Sequence, residues 1–221
     1  MADMRRRSPE PPPGPPLIEF KPGTANEMLR ELAPLLAEEG IDVDNIDAPD
    51  LDTLQAAMNR AVERHNLARF TPVGHPRDLA VTALRLVIEA VADGDTALAG
   101  SILERVQPES PDNTVATVAS CIGVALGLLD DWLTGNDPRT PTHLGGRVRL
   151  PRGHWFGERA ATDILTLASK GRAFRSLHTL ITRQGGEHVL YGSALALAAT
   201  TQTWATQTNT PITEIVRDVL R

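Results

Sequence analysis

An apolar segment near the middle of the chain constrains the fold more than any other feature. Residues 113–132 have helical spacing and are apolar on nearly every side, and residues 113–129 carry no charge. A helix of this kind must be enclosed by other parts of the protein. The uncharged run is shorter than the roughly 20 apolar residues that span a bilayer, and Thr, Ser and Gly interrupt it. We therefore predict a buried helix at the centre of the fold and no membrane contact.

Helical periodicity continues on both sides of this segment. Apolar spacing and the Gly or Pro residues that end each run predict further helices at about residues 24–39, 50–68, 76–93, 96–106, 158–169, 172–184, 189–207 and 211–220. In the helix at 76–93 the predicted buried stripe consists of Leu79, Ala83, Leu86, Val87, Ala90 and Val91. The sequence therefore predicts an all-α fold, a multi-helix bundle.

The prolines of the N-terminal region predict a different state. Residues 1–22 contain seven prolines, which lack a backbone donor and favour extended geometry. We predict a disordered Pro-rich tail over residues 1–22 and a single helical domain over residues 23–221.

The order of the helices suggests an internal duplication. Residues 76–138 and 157–221 each contain a helix, a Gly, a shorter helix, a turn and a long helix rich in small residues. The long helices end near Trp132 and Trp204, and a basic Gly/Pro linker would join the two halves. If the halves are alike, we expect the bare face at Gly123 and Gly127 to meet the other long helix at Gly192, Ala196 and Ala199.

Charge is distributed unevenly along the chain. Residues 139–183 carry nine basic and two acidic side chains, a net charge of +7, whereas the whole chain carries −6, so the remainder holds −13. Residues 38–52 contain seven acidic residues and no basic one. An overall acidic chain is not a general nucleic-acid coat or a binder of anionic membranes, so any anion binding must be local.

The basic stretch contains a candidate anion-binding site. Arg147, Arg149 and Arg152 lie among glycines just before the helix predicted at residue 158, where free backbone N–H groups and guanidinium groups suit a phosphate. Arg172 and Arg175 are expected on one side of the next helix. The P-loop pattern and the Gly-x-Gly-x-x-Gly order are both missing. Pairing of these arginines with the acidic half of the chain, or with a second subunit, is the favoured interpretation, and anion binding is the alternative.

Two adjacent carboxylates end the central helix. Asp130 and Asp131 are a candidate Mg²⁺ site, because hard cations prefer carboxylate oxygens. The six histidines show no paired ligand spacing, and Ser193 lacks the second Gly of a nucleophile elbow. No complete catalytic constellation is visible, so an enzyme is less expected than a binding protein, and no cofactor is predicted.

These observations favour a non-enzymatic interaction or assembly protein. It would use complementary acidic and basic surfaces to bind a protein partner or to form a homo-oligomer. One alternative is a protein that binds a phosphate-bearing ligand or nucleic acid through residues 139–183, and another is an Mg²⁺-dependent enzyme at Asp130 and Asp131. The single Cys cannot form an internal disulfide, which favours the cytoplasm, and the scarcity of Lys relative to Arg suggests a GC-rich bacterial genome.

Overall fold

The structure is a computed structural model, and it describes residues 33–34, 36–38, 40–41, 51–106, 111–153 and 155–220. The predicted Pro-rich tail, most of the first predicted helix and residues 42–50 of the acidic segment lie outside the described residues. The chain divides into two compact units, Met1–Ala61 and Val62–Arg221. In the first unit Leu36, Ala57 and Ala61 are buried.

The described residues form helices joined by turns and irregular segments, so the all-α prediction is confirmed. Most predicted helix boundaries agree with the structure to within three residues. Residues 33–34 and 36–38, within the first predicted helix, are helical. The helices with described bounds are α1 (Leu51–Phe70), α2 (Gly74–Ala92), α3 (Thr96–Val106), α4 (Pro111–Thr134), α5 (Glu158–Ala168), α6 (Leu177–Gln184), α7 (Gly186–Thr208) and α8 (Ile212–Val219).

Two long helices form the centre of the second unit. Helix α7 packs against α2, α3, α4, α5, α6 and α8, and α4 packs against α2, α3, α5 and α7. Every residue from 119 to 126 of α4 is buried, as the apolar run predicted. The rings of Trp132 and Trp204 meet edge to face, with centroids 5.2 Å apart. This packing does not test the predicted internal duplication of residues 76–138 and 157–221, which stays a prediction.

Helix α4 is also the most membrane-like segment among the described residues. Its window Thr117–Thr134 is long and apolar enough to cross a bilayer by length and composition, and 61% of that window is buried inside the protein. The core helix of a bundle passes the same test. Cys121 lies in this window, and burial raises the pKa of its thiol to about 12. The thiol is therefore protonated at neutral pH and acts as a small apolar side chain.

The predicted buried stripe of α2 is partly wrong. Leu79 and Leu86 are 45% and 48% exposed. The buried face of α2 is instead formed by Ala80, Val81, Ala83, Leu84, Val87, Ile88, Ala90 and Val91. Its small residues let α2 pack closely against both α4 and α7, whereas the two exposed leucines lie beside that face.

The glycine contacts also differ from the prediction. A Cβ at Gly123 would overlap the Phe70 carbonyl oxygen, so the bare face of α4 holds the turn that follows α1 and not helix α7. A Cβ at Gly192 would lie 2.6 Å from Ala160 Cβ and 2.8 Å from the Ala161 nitrogen. Gly192 therefore lets α5 approach α7. The predicted contact between Gly123 and Gly192 is wrong, because Gly123 contacts the turn after α1 and Gly192 contacts α5.

Candidate functional site

The five predicted anion-binding arginines are all exposed: Arg147, Arg149, Arg152, Arg172 and Arg175, here called the basic surface. They lie on two irregular segments, residues 135–157 and 169–176, and not on a shared helix. The predicted helix at 172–184 was wrong in its first part, because α6 begins at Leu177 and residues 169–176 form turns. The expected placement of Arg172 and Arg175 on one helical side is therefore also wrong.

Both irregular segments pack against the last turn of α4. A Cβ at Gly145 would lie 3.1 Å from the Leu133 carbonyl oxygen, and a Cβ at Gly171 would lie 3.2 Å from Thr134 Cγ2. The carboxyl end of a helix carries a partial negative charge, which favours nearby cations. The structure therefore brings Gly145, two residues before Arg147, and Gly171, next to Arg172, to the same end of α4.

Three apolar side chains anchor the segment 135–157 to the core. Leu144 and Val148 are buried, and Leu150 packs against the core. Arg147 and Arg149 lie between these anchors and remain exposed. Residues 145–147 form a turn in which the Arg147 N–H donates to the Leu144 carbonyl oxygen at 3.0 Å, and the chain then places Val148 in the core and Arg149 at the surface. The arginines are thus held at defined positions by the burial of their neighbours.

The guanidinium groups of the basic surface have few partners. Arg149 donates to the Val148 carbonyl oxygen at 2.8 Å. Within the described part of the chain, the guanidinium groups of Arg147, Arg152 and Arg172 make neither an ion pair nor a hydrogen bond. Exposed arginines without an internal partner remain available to an external anion.

The two aspartates that end α4 have different surroundings. The Asp130 carboxylate accepts hydrogen bonds from the backbone N–H groups of Ala173 at 2.8 Å and Phe174 at 3.0 Å, so it fixes the turn that carries Arg172 and Arg175. Burial raises the pKa of Asp130, and these two hydrogen bonds and the charge of Arg175 oppose that effect. Asp131 is exposed.

This arrangement gives Asp130 a structural role that the sequence did not predict. Its carboxylate faces backbone donors and is not presented to solvent together with Asp131. Among the described residues, no group of three or more His, Cys, Asp or Glu side chains is placed to hold a metal ion. The Mg²⁺ site at Asp130 and Asp131 stays a prediction, and the geometry gives it no support.

A second carboxylate near the basic surface already has a cationic partner. Asp137 binds Arg139 through both oxygens, with Arg139 Nε 2.9 Å from Oδ1 and Nη2 2.6 Å from Oδ2. Nη1 of Arg139 also donates to the Asp218 carbonyl oxygen in α8, at 3.0 Å. Hydrogen bonding to Arg139 lowers the pKa of Asp137. The two-residue spacing of this pair was visible in the sequence, but the contact with α8 was not.

We expect Arg139→Ala to lower the free energy of unfolding by about 1 kcal/mol at neutral pH, because it leaves a carboxylate that is only 10% exposed without its cation. The pKa of Asp137 is lowered in the folded state, so this stabilisation is present above the ordinary value of 3.8 and is lost as pH falls through the lowered pKa. Urea unfolding at about pH 7 and about pH 3 measures both effects.

Arg183→Ala is the matched control for this substitution, since Arg183 is exposed and has no ion pair with a described residue. Its free energy of unfolding should stay within about 0.5 kcal/mol of the parent at both pH values. An equal decrease in the free energy of unfolding in the Arg139 and Arg183 variants would show that the Asp137–Arg139 ion pair does not stabilise the fold.

The predicted anion-binding approach to α5 forms an open depression. It is lined by Trp155, Phe156, Glu158, Arg159 and His188, among others. Gly157 precedes α5 with φ +79°, and a Cβ there would lie 2.7 Å from the Gly192 nitrogen. The depression therefore contains groups of both charges. The sequence analysis assigned neither Arg159 nor His188 to an anion-binding site. His188 belongs to α7, and it reaches the depression because α7 packs against Gly157.

Comparison with known proteins adds no relative to these observations: no family, curated protein or solved structure matches the chain.

Proposed function

We propose that this chain is a non-enzymatic cytoplasmic binding or assembly protein whose basic surface docks the acidic surface of a protein partner or of a second copy. The observation that carries the proposal is a set of exposed arginines on the segments 135–157 and 169–176 that have no ion pair with a described residue. Arg147, Arg152 and Arg172 belong to this set.

The nearby carboxylates support this interpretation. Asp137 is already paired with Arg139, and Asp130 accepts two backbone hydrogen bonds. Asp137 is therefore already paired with a cation outside the basic surface, and Asp130 interacts electrostatically with Arg175 of that surface. Outside residues 139–183 the chain carries a net charge of −13, so a second copy would itself offer acidic surface. Complementary charge of this kind gives partner selection and fast association.

The rigid mounting of the arginines also supports binding. Asp130 fixes the turn that carries Arg172 and Arg175, and buried Leu144 and Val148 fix the segment that carries Arg147. A guanidinium group on a fixed backbone loses less conformational entropy when it binds than one on a free chain. The surface is thus partly organised before a partner arrives.

The test compares two double substitutions with the same change in net charge. Arg147→Glu with Arg152→Glu alters the basic surface, whereas Arg69→Glu with Arg105→Glu alters exposed arginines elsewhere. Light scattering after size exclusion measures self-association, and titration with polyglutamate measures binding of an acidic chain. We expect the first variant to weaken association or binding by about tenfold or more and the control by less than about twofold.

The dependence of the interaction on salt concentration is a second test of the same proposal. Raising the salt concentration from about 0.05 M to about 0.5 M should weaken the interaction of the parent protein, because the screening length shortens. A monomer at both salt concentrations that also fails to bind polyglutamate would overturn the proposal.

A phosphate-bearing ligand or nucleic acid is the second candidate for the same surface. It is favoured by the use of Arg at all five positions, since guanidinium groups bind phosphate oxygens in a bidentate manner. Polyphosphate and a single-stranded oligonucleotide are the probes. Binding tighter than that of polyglutamate of equal charge, with a linear dependence of log K on log salt, would favour this candidate over an acidic protein surface.

A further inference from the structure

An apolar cavity lies on the second unit, between α2, α3 and α7. Its volume is about 240 Å³. Val87, Val91, Leu103 and Leu195 form its aliphatic floor, and all four side chains are buried. These residues belong to the core, so the shape of the floor is set by the packing of the three helices.

Aromatic side chains form the rim of the cavity. Phe156 is 48% exposed at the rim, and its ring contacts Tyr191 edge to face, with centroids 4.9 Å apart. Trp155 lines the same side. The backbone beneath these residues is held in place, because a Cβ at Gly157 would lie only 2.9 Å from the His188 carbonyl oxygen. The cavity thus has a fixed floor and an accessible aromatic edge.

The chemistry of the lining favours an uncharged ligand. Among the described residues that line the cavity none carries a charge, and the side-chain oxygens come from Thr96 and Tyr191. Burial, and then the charges of Glu104 and Glu187 outside the lining, raise the pKa of the Tyr191 hydroxyl, so it stays neutral at physiological pH. Water needs two to four polar partners to be held well, and this lining offers few. An apolar molecule would therefore replace poorly held water.

The volume sets the size of the ligand. An apolar cavity of about 150 Å³ is large enough for benzene, and drug-sized ligands occupy pockets of about 300 Å³ or more. A cavity of about 240 Å³ falls between these limits. It suits one substituted aromatic ring, a small bicyclic ring or a short aliphatic chain.

A glycine in α3 keeps one wall of the cavity open. Gly100 lines the cavity, and a Cβ at this position would meet no atom within 4 Å. Glycine inside a helix costs about 1 kcal/mol relative to Ala, and no close neighbour requires it here. At Gly123 and Gly192, by contrast, the neighbouring backbone leaves no room for a side chain. The free space at Gly100 belongs to the cavity.

We propose that this cavity is a binding site for a small, uncharged, mainly apolar organic molecule. The site is separate from the basic surface, and its ligand would bind without help from the arginines. The probes are toluene and indole, with benzoate as the charged counterpart of toluene. Binding is measured from methyl NMR shifts and from calorimetric titration of the full chain.

The expected result is saturable binding of toluene or indole with a Kd of roughly 1 mM or lower, and benzoate at least about tenfold weaker. Gly100→Leu should weaken binding of the neutral probes by at least about tenfold, because its side chain occupies the cavity. Gly127→Leu is the matched control: it is also in a helix with free space at Cβ, and Gly127 is not part of the cavity lining. Its effect should stay below about twofold.

Circular dichroism verifies that each variant folds. If Gly100→Leu does not fold, Gly100→Ala, whose added Cβ fits the free space, replaces it and should weaken binding by about threefold. Absence of saturable binding by both neutral probes would overturn the proposal. So would benzoate binding as tightly as toluene, or equal binding by the Gly100 and Gly127 variants.

Discussion

We expect Gly123→Ala to lower the free energy of unfolding by about 3 kcal/mol. The added Cβ would overlap the Phe70 carbonyl oxygen and lie 3.3 Å from Pro72 Cδ. Because the obstacle is backbone in a turn that ends in proline, it cannot rotate aside as a long side chain would. The turn and the end of α1 would have to move away from α4. Urea unfolding followed by circular dichroism measures the loss.

Gly127→Ala provides the control on the same helix, one turn further along. A Cβ at Gly127 meets no atom within 4 Å, so this substitution should raise the free energy of unfolding by up to about 1 kcal/mol through helix propensity. A Gly123→Ala variant as stable as Gly127→Ala would show that the turn after α1 does not rest on α4 as described.

The second large effect is expected at the end of α4. We expect Asp130→Ala to lower the free energy of unfolding by about 2 kcal/mol, because the backbone N–H groups of Ala173 and Phe174 lose their acceptor. The turn before α6 should also loosen. Urea unfolding measures the stability, and amide hydrogen exchange at residues 173 and 174 should speed up specifically at that turn.

The neighbouring Asp131 gives the matched control. Its side chain is exposed, so Asp131→Ala should change the free energy of unfolding by less than about 0.5 kcal/mol. Similar exchange rates at residues 173 and 174 in the Asp130 variant and in the parent would contradict the capping role of Asp130.

The pH dependence of Asp130 is opposite in sign to that of Asp137. The pKa of Asp130 is raised above its ordinary value of 3.8, so the folded state keeps its proton to a higher pH than the unfolded state does. Its contribution therefore falls as pH rises through the window above 3.8, whereas the contribution of Asp137 falls as pH decreases below 3.8. Asp130→Ala should remove the decrease in the free energy of unfolding as pH rises above 3.8, and it should leave the decrease below 3.8 unchanged.

Local sequence signals predicted the helices well because their ends are set by nearby residues. Gly94 separates α2 from α3 as expected, and the all-apolar run is the buried helix α4. Signals that act over a few residues can be read without knowing the fold.

Contacts between distant segments could not be read in the same way. Two apolar faces are available on α2, and the one with small residues is buried because α4 and α7 approach there, which leaves Leu79 and Leu86 exposed. Asp130 acts on amides 43 and 44 positions away, so no local pattern marks it.

The basic surface depends both on local sequence signals and on contacts between distant segments. The exposure of Arg147 and Arg149 agrees with the alternation around Val148, but the approach of the two segments to the end of α4 depends on the close contacts of Gly145 and Gly171. The apolar cavity had no local signal, because its walls come from three helices and the segment before α5.

The edge-to-face pair of Trp132 and Trp204 should give the protein a near-ultraviolet dichroism signal that arises in its core. The chain contains three tryptophans, and two of them lie with ring centroids 5.2 Å apart inside the core. Rings this close couple electronically, so the near-ultraviolet dichroism of the pair reports whether the ends of α4 and α7 are docked. The remaining indole, Trp155, lies on the rim of the cavity. The dichroism of the pair therefore reports on the core, whereas the fluorescence, to which all three tryptophans contribute, reports on the core and the outer segment together.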